Sequence, residues 1–249
     1  MALSERRASH TDVYRSLGEP RFGGILVVGD HASNRVPDGI HLEISSHLLE
    51  QHIAIDIGVA GVAERMVRPG TAAFLANVSR LVCDFNRDPG APGIIPETSD
   101  GHVIPGNALS LSERADRIAR YFDPYHDALA RLLETTPQAL ILSLHSFTPR
   151  LESAPDQQRP WEVGVLYNRD DRAARLAIPL LEAEGLTVGD QQPYSGRILN
   201  ATMNRHAEAE GRPYLGIEVR QDQIGCEAGQ ALWAERLGRI ANQVALQLT

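Results

Sequence analysis

Short apolar runs alternate with longer segments of helical periodicity along this chain. The apolar runs predict strands within residues 23–29, 71–87, 138–149, 163–168 and 213–220. The longer segments predict helices at residues 44–69, 110–134, 170–185, 197–210 and 227–248. Strands that alternate with helices indicate an α/β fold, and we expect one domain over residues 1–249. Its sheet is expected to be mixed and mostly parallel, with helices on both faces.

Two segments rich in glycine and proline interrupt this alternation. The first is residues 88–107 and the second is residues 189–196. Because a long loop inside a compact domain is often functional, we expect both loops to shape a ligand pocket. Ser110 and Glu113 have the spacing of a capping box, which marks the start of the helix after the first loop.

Composition narrows the possible partners. Hydrophobic residues make up 43% and charged residues 22% of the 249 positions, as in ordinary globular proteins. The formal net charge of −8 argues against nucleic acid as the main partner, although a local arginine cluster could still bind a small anion. No segment approaches the roughly 18 uninterrupted apolar residues of a membrane helix, and the first residues lack the apolar core of a secretory signal. We therefore expect a cytoplasmic protein with no membrane partner.

The two cysteines, Cys83 and Cys226, are too few for a disulfide framework or a cysteine-rich metal site. We expect both to be small buried apolar residues. The chemistry of the chain must therefore come from histidine, carboxylate, amide and guanidinium groups.

Polar side chains follow the apolar runs at the points where the predicted strands end. They are Asp30 and His31, then Asp84, Asn86 and Arg87, then His145 and Ser146, then Asn168 and Arg169, and finally Glu218 and Arg220. In a parallel sheet these positions lie along one edge, where open α/β sheets bind their ligands. Two histidines and a carboxylate that meet there would suit a zinc ion, which keeps a further position open for water.

Each histidine also has a simpler interpretation. His31 could be a turn residue bonded to nearby backbone, and His145 could be a satisfied core residue. Because both follow comparable apolar runs, the pair favours a functional site more than either does alone. Neither fits the local His-x-x-x-His pattern of helical zinc sites. We interpret the histidines in or near predicted helices as surface or packing residues, namely His41, His47, His52, His126 and His206.

The carboxylate of Glu218 has two interpretations. An ion pair with Arg220 on an exposed strand edge would contribute little to stability. A general base that takes a proton from a metal-bound water is the functional alternative, since a metal can lower the pKa of that water to about 7.

Arg80 and Arg87 flank the apolar residues of the segment SRLVCDFNR. The guanidinium fork matches a carboxylate with two parallel hydrogen bonds, which lysine does not reproduce. Structural or surface arginines are the alternative interpretation.

Seven segments together resemble the N-formylglutamate amidohydrolase family. They occur in the family's order within residues 25–225 and read GDHASNRVP, AIDIGVAGVAERM, SRLVCDFNR, LSLHSFTP, GVLYNRD, QPYSG and GIEVRQDQI. The resemblance implies a zinc-dependent hydrolase that removes the formyl group of N-formyl-L-glutamate, or a relative that acts on another anionic N-acyl amino acid. It also implies a zinc-carboxypeptidase-like (phosphorylase/hydrolase-like) fold with one Zn²⁺.

The resemblance also implies roles for individual residues. His31 and His145 match the metal histidines, Asn86 and Arg87 match the pair that binds the substrate's α-carboxylate, and Glu218 matches the general base. We add Arg80 as a candidate catalytic residue that stabilises the oxyanion, and Ser146 and Arg220 as further substrate contacts.

The third metal ligand is open at this point. Asn34 stands where zinc carboxypeptidases have a ligand glutamate three residues after the first histidine, and a neutral amide is a poor zinc ligand. Asp56 is the candidate substitute, although it could equally be the N-cap of the helix that follows. Two other functions keep the same pocket: a carboxypeptidase-like or peptidoglycan-amide hydrolase, and a binding protein that has lost the metal because of Asn34.

Overall fold

The structure, a computed structural model, describes residues 9–10 and 12–248. The strands are Ser9–His10 (β1), Tyr14–Leu17 (β2), Ile25–Gly29 (β3), Thr71–Ala76 (β4), Thr98–Ser99 (β5), His102–Val103 (β6), Leu140–Phe147 (β7), Val163–Leu166 (β8), Val188–Asp190 (β9) and Tyr214–Arg220 (β10). The α-helices are Ser46–Leu49 (α1), Val59–Met66 (α2), Leu111–Arg117 (α3), Asp123–Thr135 (α4), Arg172–Ala183 (α5), Ala201–His206 (α6) and Glu227–Leu248 (α7). A π-helical turn, Ile118–Phe122, joins α3 to α4.

One mixed sheet organises the domain, in the order β1-β2-β4-β3-β7-β10-β8-β9. Strands β4, β3, β7 and β10 run parallel at its centre, and β8 pairs in parallel with β9. The antiparallel pairs are β1–β2, β2–β4 and β8–β10. The prediction of a single α/β domain with a mixed, mostly parallel sheet is therefore confirmed.

Helices cover both faces of this sheet. The ring of Phe74 on β4 lies 5.0 Å from the ring of Tyr125 on α4. The next residue, Leu75, faces the opposite side of the sheet. A Cβ atom added to Gly29 would contact both Leu75 and Val59 of α2, which places α2 on that side. Helix α7 packs against α2 and α5 in that second layer. The central strands β3, β4 and β7 are buried along their whole length, as expected for strands covered on both faces.

The helix predicted over residues 44–69 is wrong in its middle. The structure has only α1 and α2 there, separated by an irregular segment at residues 50–58. Gly58 has φ 83°, which ends the irregular segment and forms the N-cap of α2. The backbone N–H of Asp56 donates to the carbonyl of His31 at 3.0 Å instead of entering a helix. The interpretation of Asp56 as a helix N-cap is therefore wrong.

Other boundaries also differ from the sequence prediction. The segment 71–87 is a strand only as far as Ala76, and the helix predicted at 197–210 is reduced to α6 and a short 3-10 turn. Strand β2 was not predicted, and β9 overlaps the predicted loop 189–196. The capping box is confirmed, since Ser110 and Glu113 bond each other's backbone N–H groups. Helix α7 has the predicted bounds.

Two smaller expectations can be compared with the structure. Cys83 is buried as expected, but Cys226 is exposed, because it lies in the turn just before α7. Within residues 9–10 and 12–248, none of the helices combines the length and the apolar character needed to cross a membrane.

Candidate active site and metal centre

The parallel register brings the predicted strand-end residues together. Glu218 of β10 is the register partner of His145 on β7. On the other side of β7, Val28 of β3 pairs with Ser143, so His31, just after β3, reaches the same edge as His145. The prediction that the strand ends converge is confirmed for β3, β7 and β10. It is wrong for Asn168 and Arg169, because β8 runs antiparallel to β10 and the backbone N–H of Asn168 bonds to Tyr214 at the start of β10, on the opposite edge.

His31, Asp56 and His145 form one buried cluster. The carboxylate oxygen Asp56 Oδ2 lies 2.9 Å from His145 Nδ1 and 3.3 Å from His31 Nδ1. The two imidazole rings are 5.0 Å apart between centroids. One potential ligand atom from each of the three residues lies within 4.8 Å of the others. Two imidazoles and one carboxylate with this spacing can hold a divalent metal ion.

A second carboxylate holds the far side of each imidazole. Asp84 Oδ1 lies 2.7 Å from His31 Nε2, and Asp30 Oδ2 lies 3.6 Å from His145 Nε2. Asp30 is itself fixed by the hydroxyl of Tyr125, which donates to Oδ1 at 2.7 Å. Metal-binding histidines usually donate their second ring N–H to such a carboxylate, so the outer partners orient both Nδ1 atoms toward Asp56.

The charges in this cluster reinforce one another. Burial opposes ionisation of Asp56, but the two neighbouring histidines outweigh burial and lower the pKa of its carboxyl. For Asp84, burial is outweighed by Arg80 and His31, which likewise lower its pKa. Burial alone would lower the pKa of His145, yet Asp30 and Asp56 raise it well above its usual value. The carboxylates are therefore ionised and ready to accept a cation or protonated imidazoles.

Glu218 lies in a different electrostatic environment. Burial raises the pKa of its carboxyl to about 7, and the neighbouring Asp56 adds to the effect, while His145 opposes it. Its Oε2 atom is buried and has no hydrogen-bond partner among the described residues, as is also true of His145 Nε2 and Asp30 Oδ2. A carboxyl group with a pKa near neutrality and a free oxygen can take up and release a proton during a reaction.

Most of the predicted site residues line one cavity of about 130 Å³. Eight of the ten do so, namely His31, Asp56, Arg80, Asn86, Arg87, His145, Ser146 and Glu218. The cavity wall also contains Tyr194, from the loop 189–196 that was expected to shape a pocket, and four residues that the sequence interpretation missed, namely His52, Phe147, Thr148 and Leu199. His52 is thus not a surface or packing residue. It lies in the irregular segment before α2, where its Nε2 is 3.0 Å from Asp100 Oδ2.

Asp84 organises the segment that carries the cavity's arginines. Its Oδ2 accepts from Arg80 Nη2 at 2.8 Å and lies 3.6 Å from Arg87 Nε, and its Oδ1 accepts from the backbone N–H of Asn86 at 3.0 Å. Arg80 also donates to Asp56 Oδ1 at 3.4 Å. Arg87 keeps more of its hydrogen-bonding capacity free than Arg80 does. The side-chain amide oxygen of Asn86 accepts from the backbone N–H of Thr202 at 3.1 Å.

Three predicted residues have other positions or contacts. Ser146 supports Asp56, because its backbone N–H donates to Asp56 Oδ2 at 3.3 Å while its hydroxyl donates to the carbonyl of Ile57. Arg220 does not line the cavity. It pairs with Asp222 at 2.7 Å and donates to the carbonyls of Pro160 and Trp161 in the loop between β7 and β8, so the predicted ion pair of Glu218 with Arg220 is wrong. Asn34 does not line the cavity either.

The buried histidine pair His126 and His206 is structural, as the sequence predicts. His126 Nε2 lies 3.0 Å from the carbonyl of Phe85, which can only accept, so this nitrogen is the protonated one. His126 Nδ1 then accepts from His206 Nε2 at 2.8 Å. The pair links α4 and α6 to the backbone just before Asn86 and Arg87.

Comparisons with known proteins extend over most of the chain. The family model described as N-formylglutamate amidohydrolase matches residues 23–225. A solved gene product from Agrobacterium tumefaciens is 30% identical, with a TM-score of 0.84 over 90% of this chain and 91% of that chain. An N-formylglutamate amidohydrolase from Ralstonia eutropha JMP134 is 21% identical, with a TM-score of 0.76 over 96% of this chain and 98% of that chain. No curated protein matches the chain.

Proposed function

Because the chain belongs to the N-formylglutamate amidohydrolase family, we propose that it hydrolyses the N-acyl amide bond of N-acyl amino acids such as N-formyl-L-glutamate in a metal-dependent reaction. The observation that carries this proposal is the buried cluster of His31, Asp56 and His145 in the wall of a cavity that also contains Glu218. Family membership by itself supports a hydrolase of amide bonds, and the cluster supports the dependence on a metal.

A single zinc ion fits the donor atoms of this cluster. The two Nδ1 atoms and the Asp56 carboxylate are three ligands of the types that zinc prefers. The buried Oε2 atom of Glu218, in the wall of the same cavity, has no hydrogen-bond partner among the described residues, which is consistent with a site arranged around a further group. When bound, the metal would polarise the acyl carbonyl and lower the pKa of the attacking water.

Glu218 is assigned the role of general base. It takes a proton from the attacking water as the new C–O bond forms at the acyl carbon. As the C–N bond breaks, the same carboxyl returns the proton to the leaving nitrogen. The products are the free amino acid and the carboxylate of the acyl group. The pKa of about 7 raised by burial suits both halves of this transfer at neutral pH.

Arginine side chains supply the positive groups for an anionic substrate. Arg87, with Asn86 beside it, is assigned to the α-carboxylate, because its guanidinium lines the cavity and has only a 3.6 Å contact with Asp84. Arg80 is held between Asp56 and Asp84, so its orientation is fixed and it can stabilise the developing oxyanion without rearrangement.

Asp56 weakens the case for a metal-free binding protein. That alternative depends on the replacement of a ligand glutamate by Asn34, and Asp56 now supplies an ionised carboxylate within reach of both histidines. The carboxypeptidase-like or peptidoglycan-amide hydrolase alternative keeps the same pocket, so the substrates that the protein cleaves distinguish it from the proposed function.

Metal analysis combined with a substrate panel tests the proposal. We expect about one equivalent of zinc per chain, and hydrolysis of N-formyl amino acids that chelation abolishes and zinc restores. Asp56→Asn should lose the metal and the activity, whereas the exposed Asp88→Asn serves as the matched control. Hydrolysis that survives complete metal removal would contradict the mechanism, and preferential cleavage of short peptides would favour the carboxypeptidase-like alternative.

A further inference from the structure

Arg159 is a buried cation without an anionic partner. It lies in the loop between β7 and β8, and the residue is only 5% exposed. Its hydrogen bonds all come from Nη1, which donates to the carbonyl of Thr148 at 3.2 Å and to the hydroxyl oxygen of Tyr194 at 3.1 Å. Its Nε is buried and has no acceptor, and it forms no ion pair with any carboxylate within residues 12–248. Because burying an unpaired charge is costly, this arrangement calls for an anion nearby.

Tyr194 connects this cation to the cavity. The guanidinium carbon of Arg159 lies 5.1 Å from the centroid of the Tyr194 ring, and both Tyr194 and Thr148 line the cavity. Since the phenol oxygen accepts from Arg159, the hydroxyl hydrogen of Tyr194 is free to donate elsewhere, and no acceptor for it is found among the described residues. The cavity wall therefore presents a hydroxyl donor with a positive charge behind it.

The arginines in the cavity wall and behind it offer positive charge for two anionic groups. Arg80 is already paired with Asp56 and Asp84, so its charge is neutralised by the protein. Among the described residues, Arg87 has only its longer contact with Asp84, and Arg159 pairs with no carboxylate. These two incompletely paired cations lie on separate segments of the chain. A substrate with two carboxylates would satisfy both.

We propose that Tyr194 donates a hydrogen bond to the side-chain carboxylate of the substrate and that Arg159 is the positioning residue behind it. This inference depends on the proposed function, since it assumes that Arg87 binds the α-carboxylate. Tyr194 and Arg159 would together restrict the substrates to N-acyl derivatives of amino acids with an acidic side chain. Arg159 acts by orienting the phenol and by supplying the charge that favours an anion over a neutral amide.

A purely structural role for Arg159 makes a different prediction. The bond to the Thr148 carbonyl closes the loop between β7 and β8, and any side-chain N–H donor could form it, charged or neutral. A structural role would therefore affect all substrates alike, whereas a role in selectivity separates acidic from neutral substrates.

The test compares N-formyl-L-glutamate with N-formyl-L-glutamine, in which a neutral amide of nearly the same shape replaces the side-chain carboxylate. In the wild type we expect kcat/KM to favour the glutamate derivative. Arg159→Gln should reduce this preference by roughly 10- to 100-fold, as expected for a charge-assisted hydrogen bond, and mainly through KM. Arg159→Lys should recover part of the preference. Tyr194→Phe, which keeps the ring, should also reduce it, and Arg150→Gln on the same loop is the exposed control.

Calorimetric titration of the products gives a readout that does not require turnover. L-Glutamate should bind the wild type more tightly than L-glutamine, and Arg159→Gln should remove the difference. A fall in kcat that is equal for both substrates would overturn the proposal and assign Tyr194 to the oxyanion. Equal binding of the two products by the wild type would also overturn it. Failure to hydrolyse any N-formyl amino acid would instead contradict the proposed function, and the product titration would still decide the selectivity.

Discussion

At the scale of single residues, Asp56 has the most demanding position in the site. Its Oδ2 faces both imidazoles and the backbone N–H of Ser146, and its Oδ1 faces Arg80. Only an ionised carboxylate can accept from so many donors, because an amide would turn its own N–H groups toward some of them. The same charge suits Asp56 to its proposed role as the third ligand for a cation.

Replacing Glu218 with glutamine separates proton transfer from metal binding. Glu218→Gln keeps the size of the side chain but removes the carboxylate that accepts the proton, so we expect kcat to fall about 10²- to 10⁴-fold. The metal content should remain that of the wild type, because Glu218 is not among the three clustered ligands. Elemental analysis and steady-state kinetics provide the two measurements. The exposed Glu182→Gln is the matched control, and near-normal turnover of Glu218→Gln would exclude its role as the base.

The sequence predicts some of these residues much better than others. His31, His145 and Glu218 follow apolar runs, and regular strands of a parallel sheet place such residues at one edge whatever the intervening loops do. Asp30 directly follows β3, so the same signal could have identified it as the partner of His145, whereas Asp84 lies on the irregular segment beyond the end of β4 at Ala76. Tyr194, His52 and Arg159 lie on irregular segments, whose paths depend on tertiary contacts that local periodicity does not encode.

At the scale of elements, the irregular segment between α1 and α2 positions Asp56, the proposed third metal ligand. Hydrophobic periodicity continues through this region and predicts a helix, but Gly58 adopts φ 83° and the chain crosses the strand ends instead. The tertiary bonds of this segment, such as the one from Asp56 N–H to the His31 carbonyl, outweigh the local helical preference. The incorrect helix prediction is therefore the source of the N-cap interpretation of Asp56, which stood beside its interpretation as a metal ligand.

Gly58→Ala tests this break against a matched glycine. A Cβ at Gly58 would lie 2.2 Å from the carbonyl oxygen of Ile224, whereas Gly39, at φ 81°, has open space around its Cβ position. Gly39→Ala should cost only the left-handed strain of about 1–2 kcal/mol. Gly58→Ala should lower the free energy of unfolding further and also weaken zinc binding, because the segment holding Asp56 must move. Urea unfolding and metal titration measure the two effects, and equal losses in both variants would contradict the argument.

The histidine pair between α4 and α6 makes stability depend on pH. Burial lowers the pKa of His126 to about 3 and that of His206 to about 4. Histidines in the unfolded chain titrate near 6.5, so between about pH 6.5 and 4 the unfolded state binds protons that the folded state does not. The contribution of this pair to the free energy of unfolding should therefore be complete above about pH 7 and should decline as the pH falls.

Chemical unfolding at a series of pH values measures this decline. A variant with both histidines changed to glutamine should show a shallower fall between about pH 6.5 and 4 than the wild type. NMR signals of His126 and His206 should show neutral rings in the folded protein at pH 5. Signals that titrate near 6.5 would contradict the assignment of buried neutral rings.

At the scale of the whole molecule, the sheet order converts distant segments into one site. Strands β3, β7 and β10 are neighbours in the sheet although their sequence positions are far apart. Their carboxyl ends meet only after the central parallel sheet has formed, so the proposed metal ligands cannot assemble in an unfolded chain. The binding of a metal should therefore be coupled to folding.

This coupling predicts that zinc stabilises the protein. A ligand that binds only the folded state adds RT ln(1 + [L]/Kd) to the free energy of unfolding, which is about 4 kcal/mol at a free concentration 1,000 times Kd. The free energies of unfolding measured with zinc and with chelator should differ by about that amount, and the difference should grow with zinc concentration. Asp56→Asn should largely remove the difference, whereas the exposed Asp88→Asn should keep it. A zinc effect of equal size in both variants would place the stabilising ion somewhere other than the cluster of His31, Asp56 and His145, and the metal-dependent mechanism would then lose its structural basis.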